Sequence, residues 1–247
     1  MNKFLILMCY YNRPNLVRFA LNTVKQQNYK NWEICFVDDG SDESAEESIK
    51  EILGDEIDKV FYFNTNHSAE EKKLNGGSIF GMYWTLRCQL SDADYGVILC
   101  DDDALMNNYL SDLNSYFMNT NKKWCYSHFA SYNPYEQTNF TQEKIKYNSQ
   151  MVKKFDLDLN PDSVLDASQV VFSLEAFKKN NVEFAYPKTA NLDSDLYRKL
   201  FPLYGLCSYS GLYGQFKSVS QNRLEVRQHN QNLFYVNDID INFKPEF

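Results

Sequence analysis

The feature that most limits how this chain can fold is a repeated unit in its first half: a strand-length apolar run, a turn, then a helical pattern. Phe4–Cys9, Trp32–Val37, Val60–Phe63 and Tyr95–Cys100 are apolar runs. They are expected for strands buried on both faces. Pro14 suits the first turn of a helix, where its missing N–H costs nothing. Leu16, Val17, Ala20, Leu21 and Val24 follow it at helical spacing. Asp38-Asp39-Gly40-Ser41 is a turn signal, with Ser41 or Asp42 able to cap the next helix. Ser78–Leu90 and Asn108–Met118 read as helices, and Trp124–Tyr132 as a fifth strand. This alternation predicts an α/β fold with a mostly parallel sheet flanked by helices. Right-handed crossovers then place Asp38-Asp39 and Asp101-Asp102-Asp103 on the edge where the strands' carboxyl ends meet. Open α/β sheets bind ligands at that edge.

The second half is less regular. Asn133–Gln150 reads as a long polar loop, Ser168–Phe172 as a strand, Leu174–Lys179 as a short helix, Asp193–Leu200 as another, and Cys207–Phe216 as a strand. The tail after Val219 is polar and rich in Asn. No Pro/Gly-rich linker and no internal repeat divides the chain. We therefore expect one domain over 1–247, with an elaborated half from 133 onward.

Composition removes several classes. Of 247 residues, 44% are hydrophobic and 23% charged, so the chain is neither disordered nor fibrous. A chain this long buries roughly 70–75% of its unfolded surface. It needs no disulfide staples. The six cysteines form no CxxC pair, which argues against zinc and for reduced, mostly buried thiols. The net charge is -8, from 25 basic and 33 acidic residues. Nucleic acid and anionic membrane are thereby disfavoured as partners. No apolar stretch approaches the ~18 residues of a membrane span. The apolar start runs straight into Tyr-Tyr-Asn-Arg-Pro without a cleavage signal, so it reads as a strand and the default compartment is the cytoplasm.

Three places could carry chemistry. Three adjacent carboxylates at Asp101-Asp102-Asp103 repel one another, and a hard divalent cation relieves that repulsion. In an extended segment Asp101 and Asp103 project to one side and Asp102 to the other, so a metal would be gripped through alternate members. An exposed acidic turn capping the next helix is the competing reading. At Asp38-Asp39 a carboxylate could accept hydrogen bonds from a nucleoside, or could simply shape a turn. Cys9-Tyr10-Tyr11-Asn12-Arg13-Pro14 closes the first strand. A tyrosine there could stack on a base and Arg13 could meet a phosphate; a packed aromatic pair and a solvated arginine are the alternative.

Taken together, Phe4–Pro14, Gln26-Gln27-Asn28-Tyr29-Lys30-Asn31-Trp32-Glu33-Ile34, Val37–Asp42 and the later Asp101-Asp102-Asp103 resemble, in order and spacing, the opening of family 2 glycosyltransferases. The resemblance covers roughly the first 110 residues. It implies the GT-A fold, a nucleotide-sugar donor, Mn²⁺ or Mg²⁺, and inverting transfer to a hydroxyl of a glycan or other acceptor, with UDP the commonest donor nucleotide. It divides the chain into a nucleotide-sugar half (1–132) and an acceptor half (133–247). Carried over by position, it puts Tyr11 in the base pocket with Cys9 and Tyr10 beside it. Asp39 goes on the base edge with Asp38 next to it, and Asp102 at the ribose or sugar. Asp103 becomes the principal metal ligand, with Asp101 helping through water. Asn75-Gly76-Gly77 resembles the family's Asn-x-Gly. The Arg-Asn pair expected in the next helix is replaced by Met82-Tyr83, which leaves Lys73 or Arg87 as substitutes for the missing arginine. Leu192-Asp193-Ser194-Asp195 resembles the segment of the catalytic base and puts Asp193 in that role, with Asp195 the rival. As plain residues, both could instead serve the amino end of a helix. His229, in Arg227-Gln228-His229, resembles the segment that reaches the diphosphate or metal; the alternative is a surface histidine in a polar tail.

Two other enzyme classes fit poorly. An aspartyl phosphatase carries Asp-x-Asp on its first strand, not its fourth. A dinucleotide oxidoreductase needs G-x-G-x-x-G, which is missing. A non-catalytic module that binds a sugar nucleotide or glycan remains open.

Overall fold

The computed structural model describes residues 1–68, 70–71, 79–132, 157–162, 164–184 and 192–218. The strands are β1 (Phe4–Tyr10), β2 (Trp32–Asp38), β3 (Val60–Asn64), β4 (Tyr95–Cys100), β5 (Ala104–Leu105), β6 (Trp124–Tyr132), β7 (Val170–Ser173) and β8 (Ser208–Ser218). The helices are α1 (Pro14–Lys25), α2 (Glu46–Leu53), α3 (Phe80–Leu90), α4 (Tyr109–Thr120), α5 (Glu175–Lys179) and α6 (Leu192–Tyr204). Short 3₁₀ turns occupy Gly54–Lys59 and Ala167–Gln169. The expected loop at 133–150 and the tail after Val219 lie outside the described residues.

One sheet orders the strands β3-β2-β1-β4-β7-β6-β8-β5. The first four are parallel, as the alternation predicts. Beyond β4 the sheet is mixed: β7 is antiparallel to both β4 and β6, β8 is parallel to β6, and β5 is antiparallel to β8. The late strand β7 thus enters between β4 and β6. A late strand of only four residues carries no sequence mark of the neighbours it takes.

Strand alternation builds the two helical layers. Phe4, Ile6, Met8 and Tyr10 of β1 join Ile34, Phe36, Val97 and Leu99 beneath α1, α2 and α4. Leu5 and Leu7 join Cys35, Val37 and Ile98 beneath α3, α5 and α6. Burial on both faces explains why these strands read as unbroken apolar runs. Pro14 opens α1 as expected. Helix α6 runs four residues beyond the expected end, through Pro202, which sits in its last turn. Among the described residues, no helix is long and apolar enough to cross a membrane.

Candidate active site

Strands β2, β1 and β4 end side by side. Cys9 is in register with Val37 and Cys100, and Tyr10 with Asp38. At about 4.8 Å per strand, the two acidic turns stand about 10 Å apart across β1. The expectation that they share one edge is met.

The loop after β1 is tied to the loop after β2. Asn12 adopts φ 51, a left-handed conformation that asparagine tolerates better than most residues. Its backbone N–H donates to Ser41 Oγ at 3.0 Å and its Nδ2 to Asp42 Oδ2 at 3.2 Å, while its Oδ1 accepts from the Asp42 N–H at 2.8 Å. Ser41 and Asp42 are engaged here, and α2 starts later, at Glu46. Neither residue caps it as the sequence suggests.

The carboxylates of Asp38 and Asp39 divide the work. Asp38 is buried; one oxygen accepts the Ser41 N–H at 2.9 Å and the other the Tyr62 hydroxyl at 2.8 Å. It shapes the turn from below. Asp39 stays half-buried at the rim, where Thr65 Oγ1 reaches it at 3.4 Å. Gly40 has φ +68, and a Cβ there would stand 2.4 Å from the His67 carbonyl oxygen. Only glycine fits between these backbones. The two tyrosines also part. Tyr10 is 1% exposed, packs on Phe36 and donates to the Glu43 carbonyl at 2.9 Å. Strand alternation turns it into the core, so it supports the turn from within and differs from the expected pocket position. Tyr11 is 44% exposed, at the mouth.

The aspartate run is a tight turn and not the extended segment expected. The Asp103 N–H donates to the Cys100 carbonyl at 3.2 Å, closing four residues on themselves. Asp101 is thereby turned towards β1. It accepts the Tyr11 N–H at 3.2 Å and pairs with Arg13 Nη1 at 3.0 Å. The same Nη1 lies 3.0 Å from Asp102 Oδ2. Burial pushes the Asp101 carboxyl up, to about 7, against the opposing pull of Arg13. The ligand atoms that gather are those of Cys100, Asp102 and Asp103, all within 4.8 Å of one another. This donor set suits a divalent cation: two carboxylate oxygens and one sulfur.

A clamp holds this turn from behind. Buried Gln27 donates from Nε2 to the Met106 carbonyl at 2.7 Å and accepts the Leu110 N–H at 3.2 Å. Thr23 Oγ1 accepts the Leu105 N–H at 3.0 Å. Sequence reasoning quoted Gln27 for family likeness and missed this role. A glutamine in the same segment as buried apolar positions was the available signal. The roles of Asn12 and Cys100 were missed as well.

Helix α6 returns to the same edge. Strand β7 opposes β4, so the turn before β7 lies at the carboxyl end of β4. Tyr197 donates to the Asp166 carbonyl in that turn at 3.1 Å, and Tyr204 lies beside Ser173 at the far end of β7. The amino end of α6, with Asp193, therefore faces the acidic edge. Asp195 is ion-paired to Lys199 at 2.8 Å, whereas Asp193 accepts only the neighbouring Ser194 N–H among the described residues. Arg87 is far from this edge: it pairs with Glu33 at 2.6 Å, at the start of β2 and about 17 Å from Asp38 along the strand. It is not the substitute for the missing arginine. Lys73, Asn75–Gly77 and His229 lie outside the described residues.

Residues 5–77 match the family model described as Glycosyl transferase family 2. No curated protein matches the chain significantly. Among solved structures, the chain is similar to S. aureus TarS 1-349 in complex with UDP-GlcNAc, with TM-score 0.65 and 13% identity, covering 90% of this chain and 60% of that one. It is also similar to S. aureus TarS, with TM-score 0.64 and 15% identity, covering 98% and 41%. A third likeness is to the mannosyltransferase PcManGT from Pyrobaculum calidifontis in complex with GDP-Man and Mn2+, with TM-score 0.60 and 9% identity, covering 93% and 61%. The chain thus spans less than two thirds of each of these relatives. Residues 5–77 thus resemble the family 2 glycosyl transferases, and the chain as a whole has the GT-A fold of these structures.

Proposed function

We propose that this protein is a metal-dependent inverting glycosyltransferase that moves a sugar from a nucleotide-diphosphate donor, UDP foremost, to a hydroxyl of a glycan or other acceptor. The observation that carries the reading is the meeting of three elements on one edge of a GT-A sheet: the Asp39 turn, the Asp101–Asp103 turn and the amino end of α6. Exposed Tyr11 and rim-placed Asp39 bind and orient the base and ribose. Asp103 and Asp102 hold the divalent ion, Mn²⁺ or Mg²⁺, with His229 a further proposed ligand. When bound, the ion supplies Lewis-acid neutralisation of the departing diphosphate. Asp101 anchors Arg13, which places a guanidinium beside the phosphates. Asp193 takes the proton of the acceptor hydroxyl as that oxygen attacks the anomeric carbon from the face opposite the leaving group, which inverts the configuration. Among the described residues Lys199 pairs with Asp195 and no lysine pairs with Asp193, which favours Asp193 over Asp195. Residues 1–132 form the donor half and 133–247 the acceptor half.

The test is a donor-hydrolysis and transfer screen of UDP-, GDP- and dTDP-sugars, with and without Mn²⁺. Mn²⁺-dependent release of one nucleoside diphosphate supports the reading. Tight donor binding with no turnover on any donor or acceptor would instead indicate a binding module.

A further inference from the structure

We propose that Cys100 is a sulfur ligand of the divalent ion at the acidic turn, so that the site takes borderline and soft ions such as Zn²⁺, Co²⁺ or Cd²⁺ in preference to Mg²⁺. The inference rests on the reading of that turn as the donor's cation site and narrows which cation it accepts. Oxygen-only sites built from carboxylates and phosphates suit Mg²⁺, which demands small, near-octahedral oxygen shells. A thiolate shifts selection towards thiophilic metals.

The geometry comes from the turn. Because the Asp103 N–H folds back onto the Cys100 carbonyl, the side chain that closes β4 meets those of Asp102 and Asp103, while Asp101 turns away to Arg13. The three gathered ligand atoms lie within 4.8 Å of one another. Donors about 2.0–2.3 Å from a shared ion lie no more than about 4.5 Å apart. Small side-chain rotations therefore bring all three onto one centre. Cys100 is half-buried, on the same strand face as Ile98 and therefore in the layer of α6. Cys35, Cys88, Cys125 and Cys207 are buried in the core. Cys9, half-buried and in register with Cys100 on β1, lies outside the gathered group and provides an internal control. On binding, the metal–sulfur bond replaces the S–H bond, the proton leaves to solvent, and nothing is oxidised.

The experiment titrates the full chain with Cd²⁺ alone and follows the ultraviolet thiolate-to-metal charge-transfer band. Mn²⁺ binding is read in parallel by electron paramagnetic resonance. Wild type and Cys9→Ser should both develop a saturating band. Cys100→Ser should lose the band and bind Cd²⁺ at least about tenfold more weakly, with an unchanged thermal melt. Cys100→Ala, read the same way, guards against a serine oxygen standing in as ligand. A band that persists in both Cys100 variants overturns the proposal. If Mn²⁺ binds wild type and Cys100→Ser equally and no band forms, the sulfur assignment fails while the cation site stands. If no ion binds and Asp103→Asn changes nothing, the cation site itself fails.

Discussion

The two ends of the central strands carry similar residues in opposite arrangements. At the amino end, buried Glu33 meets Lys3 at 2.7 Å, Arg87 at 2.6 Å and Ser91 Oγ at 2.6 Å. Asp92 pairs with Lys3, and Glu175 with Lys123 and Lys179. Every one of these carboxylates has a cation. At the carboxyl end, three consecutive aspartates crowd one turn, and Arg13 pairs with two of them, Asp101 and Asp102. Buried carboxylates are retained where they are paired or where they hold a metal. The first end behaves as a fastening. The second gathers the ligand atoms of Cys100, Asp102 and Asp103 within 4.8 Å of one another, at the strand ends that the amino end of α6 approaches. The difference between them lies in arrangement, not in the residue types: carboxylates are set against lysines and an arginine at one end, and against one another at the other.

Substitutions should therefore separate the two ends by phenotype. The largest effect is expected for Asp193→Asn, with transfer falling about 10²–10⁴-fold while donor affinity is kept. Asp195→Asn, relieved of Lys199, should leave turnover within about tenfold. Equal losses for both would erase the distinction drawn from the Lys199 ion pair. Glu33→Ala should act on stability and not on the donor. Removing one member of a buried ion-pair cluster costs about 3–5 kcal/mol. Denaturant unfolding should show that loss, and calorimetry on the folded fraction should show unchanged nucleotide affinity. Gly40→Ala combines positive φ with a backbone clash and should cost at least about 1–3 kcal/mol. Because it also disturbs the Asp39 turn, it should weaken nucleotide binding too, unlike Glu33→Ala. Tyr11→Ala should weaken UDP about tenfold through lost stacking, with no change in melting temperature. The smallest effect is one of pH. The side-chain hydrogen bonds from Lys123 and Lys179 hold Glu175 down, to about 2. A depressed carboxylate contributes stability above its unfolded value and loses it as pH falls towards about 2. The side chain is about a third exposed, at 32%, so Glu175→Gln should flatten the acid limb of the stability curve only slightly.

The parallel half of the sheet was legible because burial on both faces writes itself as uninterrupted apolar runs, as in Phe4–Tyr10 and Trp32–Asp38. The shared acidic edge followed from crossover handedness. What escaped the sequence is side-chain direction within short turns. Alternation suits strands and predicts an extended Asp101-Asp102-Asp103, whereas one hydrogen bond from Asp103 to Cys100 reverses which members converge. The same limit hid the split between Tyr10 and Tyr11 and between Asp38 and Asp39. Adjacent letters carry no mark of which one faces the core until the strand end is fixed. The place of β7 between β4 and β6 was invisible for a different reason: long-range strand order depends on packing partners far along the chain. Gln27 looked like a family letter, and its role as a clamp depends on Met106 and Leu110, which are remote in sequence.

The central claim is that the clustered carboxylates of the Asp101–Asp103 turn hold a cation that a nucleotide diphosphate shares. Calorimetric titration of UDP into the metal-free chain, repeated in Mn²⁺ and with Asp103→Asn, tests it directly. A gain of at least about tenfold in affinity on adding Mn²⁺, abolished by the substitution, is the expected result. Identical UDP affinity in all three titrations would contradict it.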